Sequence, residues 1–133
     1  MDKLILTGLL IIISTIARGQ DETKRTVFGE DHAKKELNKT LKDRKLTGEH
    51  VKNLVDGKTE IIKDKETLTQ LAETVLFGLF DRDNIKSQRP YEIYKIGKYW
   101  TINGTLPTEV TGGTFFIIVD STTGQILRIT HDE

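Results

Sequence analysis

Apolar and polar positions change their rhythm twice along this chain. Leu4 to Ile16 is almost unbroken apolar sequence, bounded by Lys3 on one side and Arg18 on the other. Between Asp31 and Leu46 the chain is dense in Lys and Glu. Only Ala33, Leu37 and Leu41 recur there, at i, i+4 and i+8, which predicts a narrow-striped surface helix capped by Asp31. Thr47-Gly48 breaks it, Glu49 to Val55 is a candidate helical turn, and Asp56-Gly57 reads as a tight turn. Lys58 to Lys63 is a candidate short strand around Ile61 and Ile62.

The strongest helical signal follows. Leu68, Leu71, Ala72, Val75, Leu76, Leu79 and Phe80 form a wide stripe at helical spacing, which must be buried against something. Asp64 is a good N-cap for it and Glu66 suits its first turn. The pattern ends in charged and turn-prone residues at Asp81 to Asn84.

From Pro90 the rhythm becomes that of strands. Tyr91–Ile96 and Tyr99–Leu106 are joined by Gly97-Lys98, a two-residue hairpin turn. Thr114–Val119 is apolar on both alternating faces, as a central strand is, and Ile126–His131 returns from a turn centred on Gly124. Helix first and antiparallel strands after make this an α+β domain, a long helix packed on a curved antiparallel sheet of about four strands.

The first apolar run has the anatomy of an export signal. A weakly positive start, a core of suitable length and the small residues of Ala17-Arg18-Gly19 predict cleavage after Gly19. The run is too short for a spanning helix, so stable membrane insertion after cleavage is not expected; a retained short anchor is the alternative. The expected division is a signal peptide over 1–19, a charged segment over 20–57 and an α+β domain over 58–133, periplasmic or secreted. The signal takes Asp2, Lys3 and Arg18 with it, so the mature chain stays within one charge of neutrality. That balance argues against a nucleic-acid partner, which calls for a concentrated basic face. Without cysteine there is no disulfide framework, thiolate metal site or thiol nucleophile.

Candidate chemistry is sparse. His32, His50 and His131 are far apart and in no metal-ligand spacing, and neither Ser87 nor Ser121 sits in a nucleophile elbow. Gly112-Gly113 enters a strand rather than a helix, so it is not a phosphate loop. No catalytic, metal or cofactor-binding residue is assigned, and no cofactor is expected. The aromatic concentration of Tyr91, Tyr94, Tyr99, Trp100, Phe115 and Phe116 is a different matter. Alternation puts Trp100, Ile102 and Leu106 on one sheet face and Tyr99 and Thr101 on the other, with Phe115 and Phe116 divided between them. One helix covers one face. The second is either covered by the N-terminal helix or left open to a partner; coverage is favoured, because exposed apolar patches are uncommon on soluble monomers.

Several segments come in a telling order: Ile61 to Thr67, Val75-Leu76-Phe77, Gln88-Arg89-Pro90-Tyr91-Glu92, Tyr99 to Pro107, Gly112-Gly113-Thr114-Phe115, and Asp120 with Gly124 to His131. In this order the chain from about Lys58 to His131 resembles bacterial immunity proteins of nuclear-transport-factor-two-like fold, found in polymorphic or Rhs-type toxin systems. The resemblance implies a non-enzymatic protein that neutralises a cognate protein toxin by occlusion. It points to Trp100, Gly112, Gly113 and His131 as partner-binding residues, and the aromatic concentration adds Tyr91 and Tyr99. Trp100 and the glycines also have a purely structural reading. The fold name implies several helices on a strongly bent sheet, whereas one core helix is evident, so a smaller cystatin-like form fits equally. The hairpin from Phe116 to Leu127 also resembles the closing hairpin of PepSY domains, which makes a periplasmic peptidase inhibitor or sensor module the alternative. A small-ligand binder, which needs a deep pocket with converging polar groups, is the third. Oligomeric state is not legible.

Overall fold

The computed structural model describes residues 25–48, 50 and 52–132. The expected signal peptide and its cleavage point lie outside the described residues. Helix α1 (Gly29–Lys42) is followed by α2 (Lys65–Leu79) and α3 (Arg82–Ser87), then by four strands: β1 (Glu92–Ile96), β2 (Tyr99–Asn103), β3 (Phe115–Asp120) and β4 (Ile126–His131). The strands form one antiparallel meander in the order β1-β2-β3-β4. The protein is α+β, as the change of rhythm predicts.

α1 is a surface helix and buries no residue. Asp31 lies in its first turn rather than at its cap, and Leu37 and Leu41 remain 58% and 64% exposed. The helix adds nothing to the core. Residues 52–55 are not helical, and 58–63 do not form a strand. Instead the backbone N–H groups of Ile61 and Ile62 both donate to the Ser121 carbonyl, at 2.8 and 3.0 Å. This segment is pinned to the β3–β4 turn rather than laddered into the sheet.

α2 starts where its cap predicts, with the Asp64 carboxylate accepting from the Thr67 N–H at 2.7 Å. Its buried residues are Leu68, Ala72 and Leu76, one i, i+4, i+8 line, while Leu71, Phe77 and Phe80 pack at the flanks and Leu79 faces out. The stop at Asp81 is also a restart. Asp81 caps α3 by accepting from the Asn84 N–H at 2.9 Å, and α3 supplies Ile85 to the core.

The inner sheet face contributes Trp100, Ile102, Phe115, Ile117 and Val119, all buried. Ile93, Ile102, Ile117 and Ile129 form one cross-strand row, with every partner in register. Burying each fully enclosed Leu, Ile or Phe side chain contributes about 1.5–3 kcal/mol, so this layer between helices and sheet is the main stabilising element. Trp100 Nε1 donates to the Ile62 carbonyl at 2.9 Å, tying the segment before α2 to β2. Gly97, at φ +58°, provides the left-handed residue of the β1–β2 turn. Ile118 pairs with Arg128 but Val119 with Ile126, so Leu127 is bulged out of the ladder and is 49% exposed.

Candidate functional site

The six sequence-selected residues fall into four places. Trp100 belongs to the core, 6% exposed, with its indole N–H bonded inside. Tyr91 packs edge-on against Phe115, with ring centroids 5.1 Å apart. Its hydroxyl donates to the Glu73 carboxylate at 2.8 Å, and Arg89 Nε reaches the same oxygen at 2.8 Å. Burial, then the hydrogen bond to Glu73, pushes the Tyr91 hydroxyl up to about 12. This cluster joins α2 to the start of β1.

Gly112, Gly113 and His131 are brought together, lining one hollow with Asn84, Ser87 and Leu106. The hollow's polar groups are largely bonded to one another. Gln88, 1% exposed, lies beneath it, with its amide nitrogen 3.0 Å from Asn84 Oδ1 and 3.0 Å from His131 Nε2. Its Oε1 accepts from the Phe115 N–H at 3.0 Å. His131 Nδ1 meets the Asp132 carbonyl at 2.7 Å, and its ring lies 5.0 Å from that of Phe80. Gly113 is a packing residue: a Cβ there would lie 1.7 Å from the Asp132 carbonyl oxygen. Beyond its place in the Gln88–Glu92 segment of the resemblance, Gln88 carried no signal of burial, since a polar residue after charged, turn-prone sequence reads as solvated. Its burial follows from Gly104, whose missing Cβ leaves room for the Gln88 side chain.

Tyr99 lies on the other face of the sheet. Strand register sets that face out in rows. Glu92, Asn103, Phe116 and Thr130 form one row; Tyr94, Thr101, Ile118 and Arg128 the next; Ile96 and Tyr99 lie beyond. The expected cover of this face by the N-terminal helix is not found. α1 keeps its own apolar side chains in solvent, while Tyr94 and Ile96 are 54% and 63% exposed. The physical reason lies in α1 itself: three apolar residues on a highly charged helix bury too little area to offset ordering the connecting segment.

Cations lie flat on two of the outer-face rings, Lys98 over Tyr99 at 5.3 Å and Arg128 over Phe116 at 5.0 Å. Lys98 also pairs with Asp120 at 3.1 Å. Hydrogen bonds from Thr122, reinforced by Lys98, hold the Asp120 carboxyl at about 2. Glu92 accepts from the Tyr94 hydroxyl at 2.6 Å and from Asn103 at 3.1 Å, which lowers its carboxyl and raises the Tyr94 hydroxyl. The result is a platform of aromatic and branched side chains, Tyr94 and Ile96 exposed and Tyr99, Phe116 and Ile118 half-buried. Among the described residues no group of three or more His, Asp and Glu is placed to hold a metal ion, and no helix is long and apolar enough to cross a membrane.

The chain is similar to two uncharacterized proteins of Escherichia coli (strain K12). It is 29% identical to YhhH over 72 residues, 53% of this chain and 57% of that protein. It is 29% identical to YbbC over 73 residues, 54% of this chain and 60% of that protein. The matched region thus spans under two thirds of either relative. No solved structure matches the chain. The model of the NTF2 fold immunity protein family matches residues 67–133, from the first turn of α2 through β4. That stretch is half of the chain and holds the whole sheet, the outer face and the Gln88–His131 junction: the protein belongs to the NTF2 fold immunity protein family.

Proposed function

We propose that this protein guards the cell that makes it by binding a cognate protein toxin on the outer face of the sheet and covering the toxin's active site. The observation that carries this reading is the open outer face. Tyr94, Ile96, Tyr99, Phe116 and Ile118 stand together there, although the chain buries comparable side chains elsewhere. Exposed Tyr94 and Ile96 beside half-buried Tyr99, Phe116 and Ile118 make one solvent-accessible apolar face, the kind of surface that marks an interaction site. Aromatic anchors on strands lose little conformational freedom on binding, so most of their burial goes into affinity. Neutralisation by occlusion needs no reacting group, only a surface complementary to the toxin. Tyr99 belongs to that surface, while Trp100, Tyr91, Gly113 and His131 hold the fold that presents it.

The export pattern over residues 1–19 puts the encounter outside the cytoplasm, where a toxin delivered into the envelope is met before it acts. The test is protection. A toxin gene is expected next to this one; cells expressing its toxin domain, directed to the periplasm, survive when the full chain is co-expressed and die when its first 19 residues are deleted. Death in both cases contradicts the immunity reading. Protection by the deleted form alone contradicts the location.

A further inference from the structure

The charges around the outer face divide into two kinds. Lys98 is paired with Asp120, while Lys95 and Arg89 turn to the helix side of the sheet and pair with Glu60 and Glu73. Glu92 and Arg128 are different: among the described residues neither has an ion-pair partner. Glu92 takes only neutral donors, the Tyr94 hydroxyl and the Asn103 amide. Arg128 lies on the Phe116 ring and contacts only the Thr130 hydroxyl, at 3.4 Å.

Their positions make the pair informative. Glu92 is on edge strand β1 and Arg128 on edge strand β4. By reaching over Phe116 toward Thr130, the guanidinium enters the Glu92–Asn103–Phe116–Thr130 row. One row of the face therefore carries an unpaired anion on β1 and an unpaired cation over Phe116 toward β4, two to three strand spacings or roughly 10–14 Å away. Uncharged side chains lie between them. Fixed opposite charges at the rim of an apolar patch set the orientation of a partner and speed its arrival.

We propose that the toxin lies across the sheet in one orientation, bringing a carboxylate to Arg128 and a cation to Glu92 on either side of an apolar ridge seated over Phe116, Ile118 and Tyr94. The inference rests on the outer-face reading of function and adds the partner's chemistry to it. Arg128 is well suited to its part: its planar fork is already stacked on Phe116, and two N–H groups in parallel match a carboxylate.

The experiment is a titration of the full chain with the toxin domain encoded beside its gene, at low and high salt, for wild type, Arg128→Glu, Glu92→Lys and the double swap. Arg44→Glu, in the N-terminal segment, is the control for net charge. The expected result is a loss of affinity on the order of tenfold for each single reversal, a larger loss for the swap and no change for the control. The salt dependence of binding falls with each reversal. Full affinity in both reversals, with binding lost in Tyr94→Ala/Ile96→Ser, overturns the orientation and leaves the outer-face reading standing. No binding by wild type overturns both. Sedimentation equilibrium of the protein alone covers the remaining occupant, since the two charges would also satisfy a second copy. A dimer dissolved by Arg128→Glu and restored by the double swap assigns the face to self-association and overturns the proposal.

Discussion

Gln88 Nε2 lies 3.0 Å from His131 Nε2, joining the end of α3 to the end of β4 across 43 residues of sequence. Because Gln88 Oε1 accepts from the Phe115 N–H, the amide orientation is fixed and its nitrogen has two protons to donate. One goes to Asn84 and the other to His131, so the imidazole proton sits on Nδ1 and is donated to the Asp132 carbonyl. Replacing Gln88 by Leu leaves the buried Phe115 N–H without a partner. Such a loss costs about 1–3 kcal/mol, read as a lowered urea midpoint. A change below about 0.5 kcal/mol, the range of ordinary surface substitutions, would show that the junction is dispensable.

Trp100 separates fold from function. Trp100→Phe removes the hydrogen bond to the Ile62 carbonyl and part of the core volume, and should destabilise the protein by about 1–3 kcal/mol. Toxin affinity of the folded fraction should stay at the wild-type value. Loss of affinity at unchanged stability would instead make Trp100 a contact residue.

Two glycines give opposite expectations. Gly113→Ala places a methyl group into the Asp132 backbone, where β3 and β4 begin to pair, and should destabilise by about 2 kcal/mol or more. Gly78, within α2, has nothing within 4 Å of an added Cβ. Gly78→Ala should therefore stabilise by about 0.5–1 kcal/mol through helix propensity. Thermal melts of the two variants decide both.

Acid should act through Asp120. Its carboxyl is held at about 2 by Thr122 and Lys98, below its ordinary range near 4, so the folded state favours the charged form. The resulting stabilisation is complete above the unfolded value and is lost as pH falls from there through about 2. Melting temperatures of wild type and Asp120→Asn should therefore differ most near neutrality and converge toward pH 2, a range set by the carboxyl itself. A gap that stays constant across that range would mean that the charge of Asp120 contributes nothing.

Periodicity made the sheet and α2 legible. Gly97-Lys98, the alternation of Tyr99 with Trp100 and the run from Ile126 to His131 act over a few residues each, and each is found as read. Asp81 was legible only as a stop, because a six-residue helix is too short to show a stripe. The docking of Ile61 and Ile62 on Ser121 and the burial of Gln88 against Gly104 and Phe115 rest on partners 16 to 60 residues away, which local pattern does not reach. Gly112, Gly113 and His131 do share one place, but Gly113 is there to admit the Asp132 backbone. The open outer face was visible as one of two alternatives. What decides between them is how little α1 can bury, a matter of area rather than of pattern.

The outer face of the sheet is the toxin's proposed seat. The decisive measurement is a calorimetric titration of the adjacent gene's toxin domain into wild type and Tyr94→Ala/Ile96→Ser, two positions more than half exposed. The prediction is tight binding by wild type and a loss of about tenfold or more in the variant, with melting temperature unchanged. Equal affinity in the two proteins, or binding lost instead on substituting Asn84 in the hollow on the other side, would contradict it.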